Sequence, residues 1–251
     1  MLAFLGFVKT PRGATLTAVI IGLALGFVNL GIWQLERHRE RGIENQVMSA
    51  RLQSDSIPVS TLLASVGSDL ASLEYRPVLV EGEYLPELEM LVRNMTNLGQ
   101  AGFHVITPLQ TSDVGVVLVN RGWVPLTMDE PPVESRPPSG PVVVEGLGRL
   151  TQLRPSVGRV EPEGVLAVVS RVDIDRLSQQ LPGEVAPVWV QALDTGDDVQ
   201  DLPVVVPVPD FTDAGPHLLY AIEWFAFALT GIVGFFFLVR NRVLRRSSAR
   251  A

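Results

Sequence analysis

Residues 13–35 read GATLTAVIIGLALGFVNLGIWQL, with no ionisable side chain among them. A hydrocarbon core about 30 Å thick takes roughly 20 apolar residues as a helix, and this run has that length by itself. Residues 225–239, FAFALTGIVGFFFLV, form a second such run. Extended back to Pro216 it can also span, taking in His217 and Glu223 near one end, where a polar group is tolerable. Outside the two runs only basic residues occur: Lys9 and Arg12 before the first, and Arg240, Arg242, Arg245, Arg246 and Arg250 after the second. All 27 acids fall between Glu36 and Glu223.

The positive-inside rule counts short tails, while long domains cross largely regardless of charge. The expected order is a cytoplasmic tail over 1–13, a transmembrane helix over 14–36 and an extracytoplasmic domain over 37–215. A second transmembrane helix over 216–239 and a basic cytoplasmic tail over 240–251 complete it. Arg37, His38, Arg39 and Arg41 oppose this orientation, and the interleaved Glu36, Glu40 and Glu44 count for little in the rule. A cleaved signal peptide is the rival reading of the first run, with Ala24-Leu25-Gly26 as a small-x-small site. Phe27–Trp33 continues the apolar stretch beyond that site, which a signal peptide does not need.

The chain has no cysteine. Disulfides, thiolate metal sites and thiol chemistry are excluded together, so an outside domain must be stable by its core, for which about 180 residues suffice. Over residues 36–216, thirteen arginines meet 26 acids, which argues against a nucleic-acid partner. Arginine makes up 19 of the 20 basic residues, a usage expected of a GC-rich bacterial genome.

The first helix is expected to run on to about Leu52, and Thr61–Ser72 to form a short second helix. From Tyr75 the pattern turns to strands: Arg76–Leu85, Met90–Asn94, Gly102–Gln110, Gly115–Val124, Pro141–Leu150, Val165–Val172, Pro187–Leu193 and Val204–Val208. Asn97-Leu98-Gly99-Gln100 and Thr111-Ser112-Asp113 supply turns, Asp129–Gly140 is a proline-rich loop, and Asp173 caps a short helix to Gln180. Asp194–Asp201 reads as an acidic, solvated loop. The expected fold class is a two-helix membrane hairpin flanking an α+β domain dominated by antiparallel strands, built as a barrel or sandwich.

Small residues recur every four positions at Ala18, Gly22 and Gly26, and again at Ala226, Thr230 and Gly234. Such rows let helix backbones approach closely: they are ordinary packing faces, faces that meet each other, or faces for a membrane partner. HExxH, GxxxxGK[ST] and GxSxG do not occur, and Gly146-Leu147-Gly148 fails as a dinucleotide loop at Thr151. No enzymatic activity is expected. Of three histidines, His38 falls in the charged stretch and His104 in a strand. His217 opens the second span, with Tyr220, Trp224 and Phe227 on one helical face. It reads as an interface anchor among belt aromatics or as a haem-iron ligand. Arg76, Arg93 and Arg121 interrupt apolar strands and need partners, because a buried unpaired guanidinium is costly.

Five segments, taken in order, resemble one family. They are Leu30–Arg37 (LGIWQLER), Tyr75-Arg76-Pro77-Val78 with Gly82-Glu83-Tyr84, Val105–Leu109 (VITPL), Val117–Pro125 (VLVNRGWVP) and Pro216–Phe225 (PHLLYAIEWF). The chain is similar to the surfeit locus protein 1 family, cytochrome c oxidase assembly factors, over nearly its whole length. It departs from the family's usual residues at Leu219 and Glu223; the acid could pair with Arg37 across the hairpin or stay protonated.

The resemblance implies a bacterial plasma-membrane protein acting on subunit I of a haem–copper oxidase around haem a insertion, or remaining with the respiratory complex as an accessory subunit. Its partners would be subunit I and the lipid bilayer. No bound cofactor is certain, and transient contact with haem a is what the resemblance adds. Trp33, Gln34 and Arg37 are expected at the outer end of the first span. His217, Tyr220, Glu223 and Trp224 face them as the haem or oxidase contact, while Arg76, Arg121 and Trp123 organise the domain. The rival is a membrane-anchored ligand-binding or sensor module without cofactor transfer, which would carry a pocket inside the strand domain.

Overall fold

The computed structural model describes Phe7 and residues 9–153, 161–193 and 202–248. The loop read at Asp194–Asp201 and Arg250 of the basic tail lie outside the described residues. The chain divides into two compact units, Met1–Val47 with Phe211–Ala251, and Met48–Asp210.

The first unit is built from two long helices, α1 (Pro11–Leu52, whose last residues belong to the second unit) and the final helix, His217–Ser248. Pro11 starts α1 where a missing N–H costs nothing. Before the final helix, Gly215 adopts φ +79° and its N–H donates to Asp213 Oδ1 at 2.7 Å. Pro216 then contributes its carbonyl to Tyr220 N at 3.1 Å. Both helices are long and apolar enough to cross a membrane, over Pro11–Leu52 and His217–Arg242.

The second unit contains β1 (Ile57–Pro58), α2 (Val59–Val66), β2 (Pro77–Tyr84), β3 (Met90–Asn97), β4 (Gln100–Gln110), β5 (Val116–Pro125) and β6 (Pro141–Leu150). β7 (Val168–Val169), α3 (Ile174–Leu177) and β8 (Val185–Ala192) follow. With the helices counted through the chain, His217–Ser248 is α4. The sheet order is β1-β2-β6-β8-β5-β4-β3-β7, and β2 also pairs with β4. That last pairing, Glu83 with Gln110 and Tyr84 with Leu109, closes β2-β6-β8-β5-β4 into a five-stranded barrel. By chain order of its own strands the circuit runs 1-4-5-3-2, the Greek-key order of an OB-type barrel. Closure requires Gly82: a Cβ there would lie 2.3 Å from the carbonyl oxygen of Gln110.

Alternation decides which side each residue faces. Val117, Val119, Val188 and Val190 join Val78, Val80, Leu62 and Leu109 in one core cluster. Their neighbours Leu118 and Trp189 fall in a second, with Met90, Val92, Ile106, Val169 and Leu177. Burial on both faces explains why Val116–Asn120 reads as an unbroken buried run.

Several expectations change. The sheet is mixed, with parallel pairings β1–β2, β3–β7 and β5–β8 beside the antiparallel ones. The helix expected at Thr61–Ser72 starts at Val59 and stops at Gly67, where φ is +54°; a 3-10 turn at Leu70–Leu73 follows. Val165–Val172 shrinks to β7, and Val204–Val208 to a single bridge between Val204 and Trp123. Asp173 caps α3 as expected, its Oδ1 accepting from Arg176 N at 3.3 Å.

Candidate functional site

Within the first unit, α1 and α4 pack antiparallel. Among the less exposed positions, α1 has Thr17, Ile20, Ala24, Phe27, Gly31 and Gln34, and α4 has Ala221, Trp224, Phe225, Ala228, Gly231, Phe235 and Val239. The α1 spacings alternate between three and four, as in a 3.5-residue seam, and those of α4 are mostly three or four. Gly31 receives the ring of Phe225 so closely that a Cβ there would lie 2.7 Å from it. Phe27 stacks on Trp224 with centroids 5.6 Å apart and meets Phe227 at 6.0 Å.

At the end of this seam Gln34, only 9% exposed, places Oε1 2.8 Å from Nδ1 of His217. An amide oxygen only accepts, so Nδ1 is the donor; in the neutral ring Nε2 then bears the lone pair. The imidazole edge bearing Nε2 lies beside Gly215; a Cβ on that glycine would sit 3.8 Å from it. About three turns further along α1, Asn45 Nδ2 donates to the carbonyl of Asp213 at 3.0 Å, tying α1 to the segment that leads into α4. A histidine fixed through one nitrogen and free at the other is the arrangement that metal-ligating imidazoles use. Among the described residues no group of three or more His, Asp or Glu could hold a bare metal ion.

The seven residues expected at this mouth are only partly brought together. Gln34, His217 and Trp224 are in the seam. Trp33 is exposed, Arg37 lies 5.9 Å from its ring, and the guanidinium pairs with Glu40 at 3.1 Å on its own helix. Glu223 therefore has no pairing with Arg37, and it and Tyr220 lie on the exposed side of α4. The small-residue rows do not meet each other either. Ala18, Gly22, Gly26, Ala226, Thr230 and Gly234 are all exposed, and a Cβ added at Gly22, Gly26 or Gly234 would touch nothing within 4 Å. The helices close through Phe225 seated on Gly31 instead. Phe27, Gly31, Ala221 and Phe225 were missed in the sequence; their three-four spacing was the available signal.

In the second unit the three domain-organising residues have distinct roles. Arg121 pairs with Glu89 at 3.1 Å, their side chains 9% and 1% exposed. Its Nε donates to Thr107 Oγ1 at 2.9 Å and its Nη2 to the Ser135 carbonyl at 2.7 Å, while Thr107 Oγ1 donates to Glu89 at 2.6 Å. Glu89 Oε1 also accepts from Val133 N at 2.8 Å, so the pair pins the proline-rich loop to the barrel. Burial lowers the Arg121 pKa while Glu89 opposes that, and burial pushes nearby Tyr84 up to about 12 despite Arg121. Arg76 Nε donates to the Ser72 carbonyl at 3.1 Å. Trp123 is buried, and its indole N–H has no hydrogen-bond partner among the described residues.

Arg149, unremarked in the sequence, forms a second clamp. It lies over Tyr75 at 4.3 Å and Trp189 at 5.2 Å, and donates to Glu74 at 2.9 Å and Gln191 at 2.7 Å. This contact gives the Tyr75 side of the Tyr75-Arg76 motif a physical role, with Tyr75 held at φ +64°. His104 Nδ1 lies 3.2 Å from Asn120 Nδ2, and burial lowers its pKa to about 4. Val78, Val80, Leu109, Val117, Val119 and Val190 pack into the apolar core of the barrel. An open cavity of about 480 Å³ lies along Thr127–Glu134.

Residues 21–229 match the family model described as the SURF1 family. The chain is 31% identical to surfeit locus protein 1 of Xenopus tropicalis over 237 residues, covering 86% of this chain and 73% of that one. An uncharacterised SURF1-like protein of Mycobacterium tuberculosis is 29% identical over 255 residues, covering 98% and 90%. Human surfeit locus protein 1 is 31% identical over 173 residues, covering 62% and 56%.

Proposed function

The chain belongs to the SURF1 family, and on that premise we propose that it serves cytochrome c oxidase biogenesis by binding, with no catalysis of its own. In this reading α1 and α4 cross a bacterial plasma membrane as a hairpin, with both tails cytoplasmic and the barrel unit outside. The partner is subunit I of the oxidase, around the time it receives haem a. The chain acts as an assembly factor or stays with the complex as an accessory subunit.

One observation carries the haem part of the reading: Gln34 occupies Nδ1 of His217 and leaves Nε2 available. Haem a would be cargo here, its iron accepting one imidazole nitrogen. Gln34 orients the ring and fixes its tautomer. Phe27 and Trp224 stack in the same seam and the exposed Phe227 ring meets both, which gives the apolar aromatic surface a porphyrin needs. The basic residues beyond both spans support the orientation.

The test is a deletion strain complemented with the wild-type chain or with His217→Ala, read by reduced-minus-oxidised spectra of its membranes. Loss of the haem a signal on deletion and failure of His217→Ala to restore it are expected. A normal haem a oxidase in the deletion strain would overturn the function. Full restoration by His217→Ala would remove the haem role from this histidine.

A further inference from the structure

The turn between β3 and β4 carries a residue that serves the fold poorly. Leu98 adopts φ +47° and Gly99 φ +82°. Two successive positive φ angles at a two-residue hairpin turn favour Asn-Gly, because an asparagine side chain tolerates the left-handed region and a bulky one does not. Leucine occupies the position here, and it is 98% exposed. It is therefore disfavoured by both backbone and solvent, and no contact within the unit compensates. Such an outlier points toward function.

The hairpin is otherwise well anchored. Leu91, Val92, Val105 and Ile106 at its base are fully buried, and the β3–β4 register shifts between Val92 and Met95. A second exposed apolar residue lies at the same end: Leu126, 55% exposed, directly follows Pro125, which pairs with Gly102 in the outer part of the hairpin. Leu126 opens the loop in which Asp129, Glu130 and Glu134 line the open cavity, against one arginine, Arg136.

We propose that Leu98, with Leu126 beside the outer part of the hairpin, is a docking anchor that seats in an apolar pocket with a basic rim on a partner polypeptide. The flanking chemistry selects a protein over a lipid surface. Residues 94–103 contain no charge, and their one aromatic, Phe103, is buried. A membrane-seeking tip carries basic or exposed aromatic residues, and the acidic loop beside Leu126 is repelled by anionic headgroups. A rigid hairpin presenting one apolar side chain loses little entropy on docking, and such anchors carry most of an interface's affinity. The proposal rests on the reading that the chain works by binding a partner.

The test compares the tagged full chain with Leu98→Asn and Leu126→Asp in gentle detergent, by thermal melting and by recovery of oxidase polypeptides. Leu98→Asn is expected to melt at or above the wild-type temperature while recovery falls roughly tenfold, the effect of losing one anchor. Leu126→Asp should reduce recovery as well. A lower melting temperature for Leu98→Asn, or undiminished recovery, overturns the proposal and leaves the function standing. A photo-crosslinker at position 98 should reach a polypeptide of the recovered complex; crosslinking to lipid alone overturns the protein partner. Failure of the wild-type chain to recover any oxidase polypeptide removes the function and this proposal together.

Discussion

Nδ1 of His217 lies 2.8 Å from Oε1 of Gln34, a side chain 183 residues earlier in the sequence. The contact joins the Gln34 of one family-like segment to the His217 of another, and it converts two motifs into one orienting pair. Replacing Gln34 by Leu removes the acceptor and leaves the ring free to turn. Loss of such an outer partner lowers metal affinity roughly 10–100-fold. We expect Gln34→Leu to accumulate normally and to depress the haem a spectrum of complemented membranes, with Gln34→Glu, which keeps an acceptor, impaired less.

Gly31 and Gly26 should respond in opposite directions. A side chain at Gly31 collides with the Phe225 ring, whereas Gly26 faces open space. Gly31→Val overpacks the seam and should lose about 1–3 kcal/mol. Gly26→Ala should be neutral or gain up to about 1 kcal/mol from helix propensity. Denaturation of the full chain in detergent, followed by helical circular dichroism, separates the two.

Arg121 and Glu89 are a buried pair whose members are costly alone. Arg121→Met leaves the Glu89 carboxylate without its cation, and breaking such a pair costs about 3–5 kcal/mol. The double variant Arg121→Met with Glu89→Leu should be more stable than Arg121→Met alone, because it removes the stranded charge. Urea titration of the barrel signal measures both.

His104 makes stability fall in acid. Its pKa is about 4 in the folded chain, against about 6.5 for an unperturbed imidazole. The unfolded chain therefore takes up a proton first as pH drops, and the folded state does not. This contribution is neutral above about pH 6.5 and destabilises progressively between about pH 6.5 and 4. His104→Gln, which keeps an acceptor for Asn120, should show a shallower decline over that window in thermal melts at stepped pH.

What the sequence disclosed divides along physical lines. The two long apolar helices and most of the strands were legible because apolar runs and turn residues are local signals; α1 ends at Leu52 and β6 covers Pro141–Leu150 as expected. Barrel closure was not, because it depends on Tyr84 meeting Leu109 and on backbone contact at Gly82, which no local pattern encodes. The need of Arg121 for a partner could be read from its apolar strand, but not the identity of Glu89, which sits before β3. At the hairpin the glycine rows drew attention by composition. The seam itself followed the subtler alternation through Phe27, Gly31 and Gln34, and left Gly22 and Gly26 facing outward. Arg149 escaped because its partners Glu74, Tyr75, Trp189 and Gln191 come from two distant segments.

The most direct measurement is affinity purification of the tagged chain from its own membranes in mild detergent, with polypeptides identified by mass spectrometry and haem by reduced-minus-oxidised spectrum. The account predicts oxidase subunit I in the eluate. Stoichiometric recovery of the other oxidase subunits would mark a resident subunit, and substoichiometric recovery a transient factor. An eluate containing neither oxidase polypeptides nor haem a would contradict it.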